Sequence, residues 1–197
     1  MEENTEATVE VDPVLYVGID VAYRRDTSAI SAVYYDSTRD KYCLWGHKIF
    51  RPPVNISKQV TGMTVNMLEK QRIGKVLYDP YQFVSEAQRL EDQGYERLMQ
   101  EVNQQTENVQ FANLLQQAFI DGSFLTYGDP ERRAHYMWCV TVATERGFRI
   151  TKKNQSRQID VVIADAMALY GCVNDRTTHH YPDYDEVTHG TSLANLP

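Results

Sequence analysis

The sequence is poor in cysteine and has no long apolar run. Cys43, Cys139 and Cys172 are its three cysteines in 197 residues, too few and too scattered for a disulfide framework or a zinc site. They fit a reducing, intracellular setting in which buried thiols act as small hydrophobes. No apolar stretch approaches the roughly 18 residues of a membrane span, and the N-terminus lacks the apolar core of a signal peptide. A Gly-x-x-x-x-Gly-Lys-[Ser/Thr] phosphate loop is absent, which excludes ATP hydrolysis by that route. No serine or cysteine nucleophile motif occurs, and His47, His135, His179, His180 and His189 form no i,i+4 metal pair.

Basic excess is lacking too: the formal net charge is −7. Its distribution matters more than its size. Residues 1–12 hold five acids and no base, and residues 175–197 hold four acids and one base, which leaves 18 acids against 19 bases in residues 13–174. The acidity belongs to the two ends, so it does not exclude a nucleic-acid partner, although it argues against tight electrostatic binding by this chain alone. What is present is ordinary: 42% hydrophobic and 24% charged residues, as in a globular domain with a real core. The expected organisation is an acidic linker over 1–12, one domain over 13–174 and a polar, flexible tail over 175–197.

Along the chain, apolar runs at 14–20, 28–36 and 41–50 read as an antiparallel meander, stopped by Arg51-Pro52-Pro53. A helix is expected from Ser57 to Arg72, with Ile56, Val60, Met63 and Met67 on one face and Asn55 or Ser57 as its cap. A fourth strand covers 73–79, and a helix runs from Val84 to Gln93, ended by Gly94. A short strand near Leu98–Val102 follows. Phe111, Leu114, Leu115, Ala118 and Phe119 mark the clearest helix, with Asn108 as a fair cap and Asp121-Gly122 as its end. Phe124 and Leu125 make a short strand, and Asp129-Pro130-Glu131 has the order of a helix start. A hairpin joins Val140–Ala143 to Phe148–Thr151, and a last helix runs from Arg157 to Gly171. Three strands, a helix, a strand, a helix and a final acid-bearing helix is the order of the ribonuclease H-like fold: an α/β mixed sheet of three antiparallel strands and then parallel ones, with flanking helices and here an added β-hairpin.

Three carboxylates stand at significant places in that order. Asp20 ends the first apolar strand, Asp79 ends the fourth, and Asp160 opens the last helix. In this topology the fourth strand lies parallel beside the first, so Asp20 and Asp79 are side by side and the last helix brings Asp160 across them. Magnesium or manganese takes such hard oxygen ligands, and two ions about 3.5–4 Å apart would hold the attacking and leaving oxygens of a phosphoryl displacement. Asp20, on the central strand, is the expected bridging ligand. Taken singly, each acid has a plainer reading: Asp20 as a turn opener, Asp79 as half of an Asp-Pro turn, Asp160 as an acid favoured by the helix dipole. Asp26 and Asp165 are further candidates. Asp26 also reads as a loop acid, and Asp165 lies about 140° around the helix from Asp160, which turns it away from the site.

Basic residues gather nearby. Arg146, Arg149, Lys152, Lys153 and Arg157 fall on the hairpin and the approach to Asp160, and Arg24-Arg25 follows Asp20. They are candidate contacts to a phosphate backbone and predict little sequence specificity; the plainer reading is a solvated charged hairpin.

The segments Val17-Gly18-Ile19-Asp20, Leu77-Tyr78-Asp79-Pro80 and Arg157 to Leu169 resemble the three nuclease motifs of tailed-bacteriophage terminase large subunits. Ile120–Phe124, Gly128–Glu131 and the Lys152-Lys153 pair fit the same pattern, so the resemblance covers about 14–171. It implies a metal-dependent endonuclease of ribonuclease H-like fold that cuts concatemeric viral double-stranded DNA during genome packaging, using two magnesium or manganese ions on Asp20, Asp79 and Asp160. It also implies partners: an N-terminal packaging ATPase domain in the full subunit, the portal and the small terminase subunit, at the procapsid in the host cytoplasm and not in a membrane. The chain would then be an isolated, monomeric nuclease domain. Several family members carry a second acid directly after the third motif's first; this chain has Val161 there, and Asp165 is a candidate substitute. Two other readings compete. One is a ribonuclease H-like resolvase or transposase core, acting on branched or end-specific DNA. The other is a non-catalytic DNA- or portal-docking module with structural acids.

Overall fold

The computed structural model describes residues 12–22, 26–145, 147–154 and 156–178. Arg24, Arg25 and Arg146, the linker over 1–11 and the tail beyond 178 lie outside them.

Strand alternation decides which layer each side of the sheet receives. In β1 (Leu15–Asp20), Leu15, Val17 and Ile19 enter one hydrophobic cluster, while Tyr16 enters the other. Gly18 and Asp20 share the side of Tyr16. β2 (Ser28–Asp36) and β3 (Lys41–Phe50) complete the antiparallel meander. β4 (Ile73–Tyr78) lies parallel to β1, with Ile19 level with Tyr78, and β5 (Met99–Glu101) lies parallel to β4. β6 (Phe124–Leu125) runs parallel to β3 on the far edge, giving the order β5-β4-β1-β2-β3-β6. This is the expected ribonuclease H-like mixed sheet. The hairpin β7 (Cys139–Thr144) and β8 (Gly147–Lys152) forms a separate two-stranded sheet.

Helices α1 (Gly62–Lys70) and α2 (Pro80–Leu90) cover the Leu15–Val17–Ile19 face, and α3 (Gln104–Ile120) and α5 (Asp160–Thr178) cover the other. α4 (Pro130–Trp138) packs beside α5. α5 is the core element: Val161 to Leu169 is buried almost without interruption.

Several helix limits differ from expectation. A wider i→i+5 turn over Ile56–Thr61 precedes α1, which ends at Lys70; Asn55 caps that turn by accepting from the Lys58 N–H at 2.9 Å. α2 begins four residues earlier than Val84, because Asp79-Pro80 is an N-cap and N1 pair like Asp129-Pro130. Asn108 is no cap but an interior residue of α3, which starts at Gln104. α5 starts at Asp160, three residues later than expected, and passes Gly171 and the 174/175 boundary to end at Thr178. Gly171 does not stop it because it serves packing: a Cβ there would stand 2.4 Å from Leu77 Cδ1.

Candidate metal centre

Three elements deliver the three carboxylates. β1 ends in Asp20 on its α5 side, and the parallel register sets Asp79, the residue after β4, beside it. α5 crosses this face at very short range. A Cβ on Gly18 would stand 2.1 Å from the Ala164 carbonyl oxygen and 2.8 Å from the Ala168 nitrogen, so only glycine admits the helix. Ala164 and Ala168 lie one and two turns after Asp160, on the same helix face. The stripe that packs on β1 therefore carries Asp160 toward the strand's carboxyl end. Farther down, the Tyr16 hydroxyl donates to Asp175 Oδ2 at 2.6 Å and fixes the helix axis at its other end.

The carboxylates are held but not neutralised. The Thr27 hydroxyl, just before β2, donates to Asp160 Oδ2. Gln104 Nε2, in the first turn of α3, donates to Asp20 Oδ1 at 2.9 Å. Asp79 Oδ1 accepts from the Tyr81 N–H at 2.9 Å as the cap of α2. Burial pushes the Asp20 carboxyl well above its ordinary range, and the Asp160 charge adds to this; the Gln104 hydrogen bond works against it, and Asp79 adds a smaller push. Burial likewise raises Asp160, opposed by the Thr27 hydrogen bond and by Lys152. Such a like-charge pair holds its protons to higher pH than isolated carboxylates do.

Thr27 and Gln104 were not foreseen. Thr27 sits in a polar turn, and Gln104 precedes the apolar periodicity of its helix, so neither carries a local signal. The topology alone brings them to the site.

The further candidates separate. Asp26 Oδ2 pairs with Lys152 Nζ at 2.8 Å. Asp165 is fully buried and spent inside the protein. Its Oδ1 accepts from the Ser31 hydroxyl, and its Oδ2 accepts from Arg132 Nη2 at 2.7 Å, Arg132 Nε at 3.1 Å and the Tyr136 hydroxyl at 2.6 Å. A role as substitute metal ligand therefore gives way to a structural ion pair. Among the basic candidates, Arg149, Lys153 and Arg157 are exposed, with the Arg157 guanidinium 4.8 Å above the Trp138 ring, whereas Lys152 is half-buried.

Asp20, Asp79 and Asp160 offer only hard oxygen donors, the set that magnesium or manganese takes. The uncancelled repulsion at Asp20 is what a bound dication would relieve. Among the described residues no group of three or more His, Cys, Asp or Glu side chains is drawn together tightly enough to enclose an ion as it stands. The donor chemistry fits a divalent cation, and closing on one would take side-chain movement.

No protein-family model matches the chain, and no curated protein matches it. Solved structures do. The large terminase of bacteriophage HK97 superposes with a TM-score of 0.68 at 13% identity, over 82% of this chain and 40% of that one. The large terminase nuclease of thermophilic phage G20c with bound magnesium gives 0.62 at 17% identity, over 81% of this chain and 82% of that one. The nuclease domain of the bacteriophage SPP1 large terminase with bound manganese gives 0.54 at 13% identity, over 86% and 93%. This chain spans less than half the HK97 protein but most of the two nuclease domains. At these identities the likeness is one of fold: the chain has the architecture of phage large terminase nuclease domains.

Proposed function

We propose that the chain is a metal-dependent DNA endonuclease of the large-terminase type. One observation carries the reading: Asp160, buried, and Asp20, half-buried, converge at the carboxyl end of the central strand with no direct ion pair to either among the described residues, in a fold shared with nucleases whose structures hold magnesium or manganese. Asp20, Asp79 and Asp160 would hold the cation, with Asp20 between the other two; two ions are the expected number. Bound there, divalent metal supplies an activated water and charge for the leaving oxygen of a phosphodiester.

The chain's own residues do the positioning. Gln104 takes up one oxygen of Asp20 and aims the other. Thr27 does the same for Asp160, and the Tyr81 N–H for Asp79. Arg149, Lys153 and Arg157 lie exposed on the hairpin side, suited to a phosphate backbone and carrying no base readout. The biological substrate in this reading is concatemeric viral double-stranded DNA cut during packaging. A packaging ATPase domain, the portal and the small terminase subunit are the expected partners, in the cytoplasm of the infected host.

Plasmid cleavage with manganese, magnesium or chelator tests the reading, with the native chain against Asp20→Asn. Metal-dependent conversion of supercoiled plasmid to nicked and linear forms, lost in the variant, is the expected result. Absence of cleavage together with absence of any metal-induced rise in melting temperature would overturn it.

A further inference from the structure

Lys152 differs from its basic neighbours. Arg149, Lys153 and Arg157 are exposed, but Lys152 is half-buried, and its Nζ is 2.8 Å from Asp26 Oδ2. Asp26 directly precedes Thr27, whose hydroxyl holds Asp160. The Lys152 charge also acts on both Asp20 and Asp160. Its ammonium thus stands beside the Asp26–Thr27 segment that holds Asp160.

The hairpin that carries it is fixed by a helix. A two-stranded ribbon is marginal alone, and this one pairs with no other strand among the described residues. α3 supplies the missing partners. Asn108, buried in the helix interior, accepts from the Ile150 N–H at 2.9 Å, and Asn113 accepts from the Phe148 N–H at 3.0 Å. Ile150 and Lys152 are two residues apart and share a face of β8, so a one-residue slip would turn Lys152 away from the site. Gln104, one turn before Asn108 on the same face of α3, is the residue that binds Asp20. One helix face therefore sets both the central carboxylate and the strand that delivers the lysine.

We infer that Lys152 is a built-in cation of the carboxylate site, registered there by Asn108 and Asp26, and not a clamp on the DNA backbone. The inference rests on the metal-site reading given above. Lys152 acts through Asp20 and Asp160: it offsets part of their charge before any ion arrives, and a dication must share the carboxylates with it. Removing it makes the site more anionic, which favours metal and disfavours an approaching phosphodiester. A backbone clamp would instead alter DNA affinity and leave metal binding without DNA untouched.

Three measurements on Lys152→Met and Lys152→Arg test this. In chelator, Lys152→Met lowers the melting temperature, and by less than half as much in an Asp160→Asn background; equal decrements overturn the placement. In calorimetric titration with manganese and no DNA, Lys152→Met lowers the Kd by about fivefold to tenfold, the scale of one partly screened charge pair, and Lys152→Arg restores the native value. An unchanged or weaker affinity in Lys152→Met overturns the proposal. In plasmid nicking at saturating manganese, Lys152→Met loses about tenfold or more in kcat with little change in KM for DNA, and Lys152→Arg recovers most of it. An effect confined to KM returns Lys152 to the role of a clamp. A native chain that binds no manganese and cuts no plasmid overturns the nuclease reading instead, and the chelator cycle alone then decides where Lys152 acts.

Discussion

Helix α5 buries two aspartates five residues apart and treats them in opposite ways. Asp165 is fully enclosed, and its charge is answered within the fold by Arg132, Tyr136 and Ser31, which ties α5 to α4 and β2. Asp160 is almost as enclosed, yet it receives one hydroxyl and only part of the Lys152 charge, with no direct ion pair among the described residues, and it faces another carboxylate, Asp20. The first arrangement is complete as it stands. The second has surplus negative charge in a place where water screens it poorly, and such a site is stable only because the remainder of the fold over-determines it. A buried charge answered in full inside the protein is structural, and one answered only in part, as Lys152 answers Asp160, awaits something from outside.

Substituting both acids separates the two roles. Asp20→Asn should lower metal-dependent plasmid cleavage by at least about a hundredfold, while its melting temperature in chelator stays level or rises, since a like-charge repulsion is gone. Asp165→Asn should do the reverse. It strands the Arg132 guanidinium in the interior and should cost about 3–5 kcal/mol of stability, read from urea melts, with manganese affinity of the folded fraction kept. A stable Asp165→Asn protein that no longer binds manganese would break the contrast. Gly18→Ala should have a smaller effect, about 1–3 kcal/mol, because its Cβ would push α5 off the sheet at Ala164. It should also weaken manganese binding, since lifting the helix moves Asp160; thermal melts with and without manganese check both parts.

Much of this contrast was legible in the chain. The first four strands, their pairing and the three acids at element ends follow from apolar runs and their order. The Ala164–Ala168 spacing and Gly18 were visible as letters, but nothing local says that they meet. Asp79 is legible as a strand-end acid, while its capping of α2 is not, because Asp-Pro serves turns and helix starts alike; at Asp129-Pro130 the following glutamate favours the helix start. Asn108 misled for the opposite reason. Asparagine favours helix caps, but here a buried partner, the Ile150 N–H from a distant hairpin, outweighs local preference. Asp165 was separated from Asp160 by helix geometry alone, whereas its partner could not be named, because Arg132 reaches it from 33 residues away in sequence. Site acids announce themselves by position, and the groups that orient or neutralise them are assembled by tertiary contact.

A third buried titratable group sets the limit of the rule. His135 is 2% exposed, and its Nδ1 has no partner among the described residues, so it too is unanswered. The difference lies in which form is neutral. A carboxylate loses its charge only by taking up a proton, whereas a histidine loses its charge by releasing one, which it does readily at pH 7. Burial lowers the His135 pKa, with the neighbouring Glu131 charge opposing it and His47 and Lys152 reinforcing it, while Asp165 opposes more weakly. With the folded pKa depressed, the unfolded chain takes up the proton first as pH falls below about 6.5. Stability is then fully present above that value and is lost progressively toward the folded pKa, with a slope of at most about 1.4 kcal/mol per pH unit for one proton. Urea melts of the native chain and His135→Leu between about pH 7 and about pH 5 should diverge, the native chain losing stability faster. Parallel profiles would show that His135 takes up its proton equally in the folded and unfolded chain, so that burial does not hold it neutral.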